Sequence, residues 1–173
     1  MESRRIFVVG SLNVDLVQST PRLPVAGETL AGGALQTHPG GKGANQAYAA
    51  ARMGGRVAMI GQVGGDGFAD VPLRSLTAAS VDVSAVGRDE EATGVAFIFV
   101  LPDGRNSIVI APGANQTLTS EIVAARLGTP PPESLLLCQL EVPFETVKRA
   151  MRIARAAGAT TILDPAPVHP RTS

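Results

Sequence analysis

Residues 6–9, Ile-Phe-Val-Val, form an unbroken β-branched and aromatic run closed by Gly10, and further strands are expected at 57–63, 135–138 and 160–163. A strand without polar alternation is buried on both faces, which calls for a parallel sheet with helices on each side. The intervening segments supply those helices. Spacing predicts an alanine-rich helix from the Gly40-Gly41-Lys42-Gly43 turn to about Met53, stopped by Gly54-Gly55. Further helices are predicted over 68–79, with Pro72 tolerable only in the first turns, over 119–127 and over 143–157. In the last of these, Phe144, Val147, Met151 and Ala154 recur at helical spacing as the buried stripe, while Glu145, Lys148, Arg149, Arg152 and Arg155 mark a solvated face.

One region breaks the rhythm. Residues 93–100 and 106–110 flank Pro102-Asp103-Gly104, a turn sequence that joins antiparallel strands. They read as a hairpin standing off the main sheet, joined by the extended stretches 16–20 and 28–37. After 160–163 the chain reaches Asp164-Pro165-Ala166-Pro167 and a short polar tail, leaving a sheet edge that needs pairing or cover. The end is expected to be premature.

At 173 residues the chain has the length of one domain with a substantial core. Fifteen Lys and Arg balance 15 Asp and Glu, and hydrophobic residues make up 45%, which disfavours both disorder and a field-driven grip on nucleic acid or a membrane surface. The single cysteine, Cys138, excludes an intramolecular disulfide and a multi-cysteine metal cage; two histidines, His38 and His169, do not support a His-only centre. Ser3-Arg4-Arg5 imitates a twin-arginine export signal, but Asn13 and Asp15 interrupt the apolar stretch that should follow, and no run approaches the ~18 apolar residues of a membrane span. A cytoplasmic location without membrane or nucleic-acid partners is expected.

The segment Gly40-Gly41-Lys42-Gly43-Ala44-Asn45-Gln46 carries the most chemical information, because glycines at a helix start free backbone N–H groups and let a ligand approach. It is no Walker loop, since Gly43 follows Lys42 where Ser or Thr belongs, and the glycines of 61–67 lack dinucleotide spacing. A tight strand-to-helix connection explains the segment equally simply. Asn45, expected at the helix's second turn with its amide toward the helix mouth, suits hydroxyls better than phosphate. Asn13 and Asp15 lie just past the first strand, where open α/β sheets place ligands, and in an extended chain they face the same way. They either close a turn or bind adjacent hydroxyls of a polyol. Glu141 follows the strand at 135–138 in the same manner, so three polar groups are expected at one sheet edge.

Gly10-Ser11-Leu12-Asn13-Val14-Asp15, Gly27-Glu28-Thr29, Gly40-Gly41-Lys42-Gly43-Ala44-Asn45-Gln46-Ala47, Ala51-Arg52-Met53-Gly54, Val63-Gly64-Gly65-Asp66, Thr93-Gly94, Gly113-Ala114-Asn115, Gln139-Leu140-Glu141 and Pro165-Ala166-Pro167 together resemble the ribokinase-like (PfkB) carbohydrate kinases. The resemblance runs from residue 6 to about 167. It implies a Rossmann-type three-layer α/β sandwich with a small β-sheet lid, here segments of about 16–37 and 93–110, and a possible homodimer through that lid. It implies D-ribose as substrate, phosphorylated at the 5-hydroxyl by ATP, with Mg and a monovalent cation such as K. Asn13, Asp15, Gly41, Lys42, Asn45 and Glu141 would hold the sugar, with Val14, Gly43 and Ala44 completing the two binding segments.

The departures lie mainly at the end. Ala69 stands where these kinases generally have Gly. Their Gly-Ala-Gly-Asp segment, which carries the catalytic base and anion hole, and their Asn-x-x-Glu segment occur nowhere in the 173 residues, nor do the nucleotide and cation loops. The resemblance therefore implies an incomplete α/β domain over 1–173 with its C-terminal portion missing, no catalytic or metal residue of its own, and no activity alone. Two further readings stay open: a non-catalytic sugar-binding or lid-dimerising module, and a kinase for another furanose or a nucleoside.

Overall fold

The computed structural model describes residues 4–168, so Ser3 and His169 lie outside the described residues. In chain order the elements are β1 (Arg5–Val9), β2 (Asn13–Ser19), β3 (Leu35–Gly40), α1 (Lys42–Arg52), β4 (Arg56–Gly64), α2 (Asp70–Ala78), β5 (Asp82–Asp89), β6 (Gly94–Val100) and β7 (Asn106–Ala111). A 3-10 turn (Gly113–Thr117), α3 (Ser120–Leu127), β8 (Leu135–Cys138), α4 (Phe144–Ala156) and β9 (Thr160–Leu163) complete it.

The main sheet is wholly parallel, in the order β5-β4-β1-β8-β9. Alternation along its central strands divides the core. Phe7, Val9, Ala58 and Ile60 pack with Val123 of α3 and Val147, Ala150 and Ala154 of α4. Val8, Val57 and Met59 face the other way, onto Ala44 and Ala47 of α1 and Leu76 of α2. Each fully buried Val or Leu of this sheet contributes roughly 1.5 to 3 kcal/mol by leaving water. This is the three-layer α/β arrangement expected from the apolar runs.

Several details differ from the pattern reading. Strand β5 was not predicted, because it is an edge strand with polar residues and Gly87 interrupting its apolar ones. Helix α2 starts at Asp70 and not at residue 68, because the Asp66 carboxylate accepts the N–H groups of Phe68 and Ala69 and holds them in a separate turn. In α4 the buried face is Thr146, Val147, Ala150 and Ala154, with Phe144 and Met151 only partly covered. Residues 113–117, unassigned by pattern, form the 3-10 turn.

A second sheet, ordered β3-β2-β6-β7, stands beside the first. Strands β6 and β7 are an antiparallel hairpin, β2 joins β6 in parallel, and β3 is antiparallel to β2. Of the stretch 28–37, only the end lies in a strand, and that strand runs on to Gly40. Pro39 is accommodated there because β3 is an edge. The two sheets are linked where the chain leaves β1 at Gly10 and enters β2 at Asn13, which fixes the position of the site.

Candidate sugar site

Strands β1 and β8 run side by side with Val9 opposite Cys138, so the residues that follow each emerge together at the carboxyl end of the sheet. Ser11, Leu12 and Asn13 follow one strand; Gln139, Leu140 and Glu141 follow the other. Strand β2 begins and β3 ends at the same level, Asn13 being paired with Gly40, and α1 starts immediately afterwards. Gly41 makes this possible with φ 91, and a Cβ there would lie 2.8 Å from Asn13 N. A Cβ on Gly43 would lie 2.6 Å from Ser11 N and 2.7 Å from the Gly10 carbonyl carbon. The glycines let the first turn of α1 press against the crossover between the sheets.

That contact corrects the expectation that the glycine turn leaves free N–H groups for a ligand. Lys42 N donates to Glu141 Oε2 at 2.9 Å, Gly43 N to Ser11 Oγ at 3.3 Å, Ala44 N to the Ser11 carbonyl at 2.9 Å, and Asn45 N to the Gly41 carbonyl at 2.9 Å. Four donors at the helix start are thus satisfied internally, with Glu141 supplying the negative charge that a helix N-terminus favours. Ser11 Oγ also donates to Glu141 Oε2 at 2.6 Å, and Lys42 Nζ lies 3.7 Å from Glu141 Oε1. The Glu141 side chain is 13% exposed and acts first as a clamp between the ends of β1, β8 and α1.

The unspent polar groups are on β2. Asn13 is 4% exposed, its Oδ1 accepts from Asn115 Nδ2 at 2.7 Å, and its own Nδ2 has no partner among the described residues. The Asp15 carboxylate, half-buried against Gly40 and opposite His38, accepts no hydrogen bond from the described residues. Burial pushes its pKa up, the Glu141 charge adds to that, and His38 opposes it. Asn13, Asn115, Gln116, Leu140 and Glu141 line a hollow of about 160 Å³ with Ile110, Pro112 and Pro167.

The remaining candidates are placed differently. Val14 is fully buried and Ala44 packs into the core, so neither side chain offers polar chemistry. Asn45 is exposed on the first turn of α1 and lines another hollow with Pro39, Tyr48 and Pro72. Ser11 and Asn115 take part in the site without having been singled out by residue chemistry; Ser11 is an unremarkable residue in a turn, and Asn115 lies over a hundred residues from its partner. Cys138 is buried, which raises its thiol to about 12 and leaves it inert. Asp66 is a structural residue: burial pushes it up, but hydrogen bonds from the Thr93 amide and hydroxyl and from Ala69 and Phe68 outweigh that and hold it below the ordinary value.

Residues 3–172 match the model of the pfkB family carbohydrate kinases. The chain belongs to this family. It is 40% identical over 168 residues to a ribokinase of Bacillus subtilis, covering 96% of this chain and 57% of that protein. A deoxyribokinase of Salmonella typhi is also 40% identical, over 163 residues, covering 94% of this chain and 53% of the relative. The solved structure of an Arabidopsis thaliana ribokinase complexed with ribose and ATP superposes with a TM-score of 0.79 at 31% identity, over 94% of this chain and 53% of that one. The pfkB chain described here thus spans about half the length of the relatives it matches.

Proposed function

We propose that this chain is the sugar-binding half of an ATP-dependent, ribokinase-type kinase that phosphorylates D-ribose at its 5-hydroxyl, and that the 173 residues alone do not turn over. The observation that carries the reading is the unspent pair on β2: the amide donor Nδ2 of Asn13 and a carboxylate acceptor, Asp15, beside the Glu141–Lys42 clamp. A sugar hydroxyl gives one proton to a carboxylate and accepts one from an amide, so this pair suits a polyol better than an anion. Asn13, Asp15 and Lys42 would contact hydroxyls, Glu141 would hold the frame and reach the ligand at its edge, and Asn45 would approach from α1. Val14, Gly41, Gly43 and Ala44 would serve through backbone shape.

We read the second sheet as a lid, built from about 16–37 and 93–110 on a single α/β domain, because its strand β2 carries both Asn13 and Asp15. Leu35, Phe97, Ile108, Val109 and Ile110 are exposed on it, which favours a homodimer formed through the lid. No group of three or more His, Cys, Asp or Glu among the described residues could hold a metal. No step of phosphoryl transfer is assigned to them; ATP, Mg and a monovalent cation such as K enter this proposal as what the family resemblance implies. No helix among the described residues is long and apolar enough to cross a membrane; a cytoplasmic location is part of the proposal.

The test is ADP release with ribose, 2-deoxyribose or no sugar, measured on the natural polypeptide containing these residues and on the 173-residue chain. Ribose-dependent turnover by the first and none by the second is expected. Preference for 2-deoxyribose would favour the other-furanose reading, which the deoxyribokinase relative supports. Saturable ribose binding with no turnover by either would favour a non-catalytic, dimerising sugar-binding module, which the exposed apolar sheet supports.

A further inference from the structure

We propose that Asn115 is a positioning residue that fixes the polarity of the sugar site, holding Asn13 so that it presents a hydrogen-bond donor, and never an acceptor, to the ligand. The inference rests on the sugar-site reading above and adds to it a residue and a rule of recognition.

The argument starts from backbone groups, whose donor or acceptor character is not in doubt. Leu12 N can only donate, and it lies 2.9 Å from one side-chain atom of Asn115, which must be Oδ1. The other terminal atom lies 3.1 Å from the Leu12 carbonyl and 3.0 Å from the Pro112 carbonyl, both acceptors only, so it must be Nδ2. The amide of Asn115 therefore cannot be turned over. Nδ2 also lies 2.7 Å from Asn13, so the Asn13 atom facing it must be Oδ1. The orientation of Asn13 follows by elimination: Nδ2 is the atom left for the hollow lined by Asn13, Asn115 and Glu141.

The surroundings make this arrangement rigid. Asn115 is 1% exposed and Asn13 4% exposed, so both side chains are held by packing. The 3-10 turn that carries Asn115 is tied down by Thr117 Oγ1, which donates to Asp89 Oδ2 at 2.8 Å, and by the Asn115 N–H, which donates to the Pro112 carbonyl at 3.2 Å. Gly94, against both amides, leaves no space for a side chain there. The chemical consequence is selective. A hydroxyl that gives its proton to Asp15 still has lone pairs for Asn13 Nδ2, whereas two acceptors facing it would compete for one proton. The two side chains, two residues apart on β2, ask for a ligand that presents an acceptor to Asn13 and a donor to Asp15.

The experiment uses the natural polypeptide containing these residues. Side-chain amide hydrogen exchange read by NMR, without ligand, should show the Asn115 NH₂ protected and the Asn13 NH₂ exchanging faster. A protected Asn13 NH₂ with a freely exchanging Asn115 NH₂ overturns the proposal whatever the ligand proves to be. D-ribose binding and KM are then measured for Asn115→Ser, which releases Asn13, and for Asn13→Asp, which keeps an acceptor for Asn115 and turns the exposed atom into an acceptor. Both should weaken ribose about tenfold, in KM and with the ATP KM unchanged. Asn13→Asp, with its bond to Asn115 intact, covers the case in which Asn115→Ser does not fold. A merely structural Asn115 would lower the melting temperature and leave the ribose KM of the folded protein as in wild type, and that result refutes the positioning role. Wild-type protein that shows the expected exchange pattern but binds no ribose supports the fixed polarity and refutes the sugar reading instead.

Discussion

Glu141→Gln separates the clamp from the charge that makes it strong. The amide oxygen can take the place of Oε2 and accept from Ser11 Oγ and Lys42 N, which lie at 2.6 and 2.9 Å in the native chain. Each of these bonds then changes from a charged to a neutral acceptor, a loss of about 1 kcal/mol apiece. The Lys42 Nζ ion pair, at 3.7 Å with the lysine side chain 38% exposed, adds about 0.5 kcal/mol or less. The sum is about 2 kcal/mol, which for a chain of this size lowers the melting temperature by about 4 to 8 °C. Calorimetric or circular-dichroism melting at pH 7 reads it. The same substitution removes one of the two influences that raise Asp15, so the Asp15 carboxyl, followed by carbon NMR, should titrate closer to its ordinary value while remaining above it because burial persists. A variant that melts with wild type, or in which Asp15 titrates unchanged, would show that Glu141 neither clamps α1 nor faces Asp15.

Asp15→Asn should stabilise the protein at neutral pH and weaken ribose about tenfold or more, since a charged hydrogen bond to the sugar is lost. The sign follows from the raised pKa: the contribution of Asp15 to stability is fully present below its ordinary 3.8 and is lost as pH rises through the folded value, so the gain in the variant should vanish in acid melts and appear above that range. Gly43→Ala places a methyl 2.6 Å from Ser11 N and 2.7 Å from the Gly10 carbonyl carbon, all backbone; it should cost about 1 to 3 kcal/mol in urea unfolding and reduce ribose affinity by displacing α1. Cys138 should resist a thiol reagent in the native chain and react once urea unfolds it, because the thiol is buried and raised to about 12.

What the sequence displayed, and what it concealed, divides along a physical line. Strands β1, β4 and β8 and all four helices were readable because a segment buried on both sides or along one stripe carries its environment in its own composition. Edge strand β5 has no such signature, and its pairing is settled by the backbone of β4. The site divides in the same way. That polar residues stand at the ends of β1 and β8 follows from the local pattern. That Glu141 consumes the N–H of Lys42, a partner 99 residues away, and that Asn115 holds Leu12 from 103 residues away, follows only from the packing of the sheets.

A list of candidates by type therefore mixes two kinds of residue. Gly41, Gly43, Ser11, Glu141 and Asn115 spend most of their capacity on bringing the first turn of α1, the crossover and the 3-10 turn together. Asn13 and Asp15 are held by that frame with one donor and one carboxylate left over. Recognition requires capacity that folding has not used, because a group already satisfied inside the protein gains little from a ligand and loses a bond to bind it. By that criterion the frame residues should respond to mutation chiefly in stability and the β2 pair chiefly in affinity. Asn115 and Gly43 should move both, Asn115 through the orientation it imposes on Asn13 and Gly43 through the position of α1.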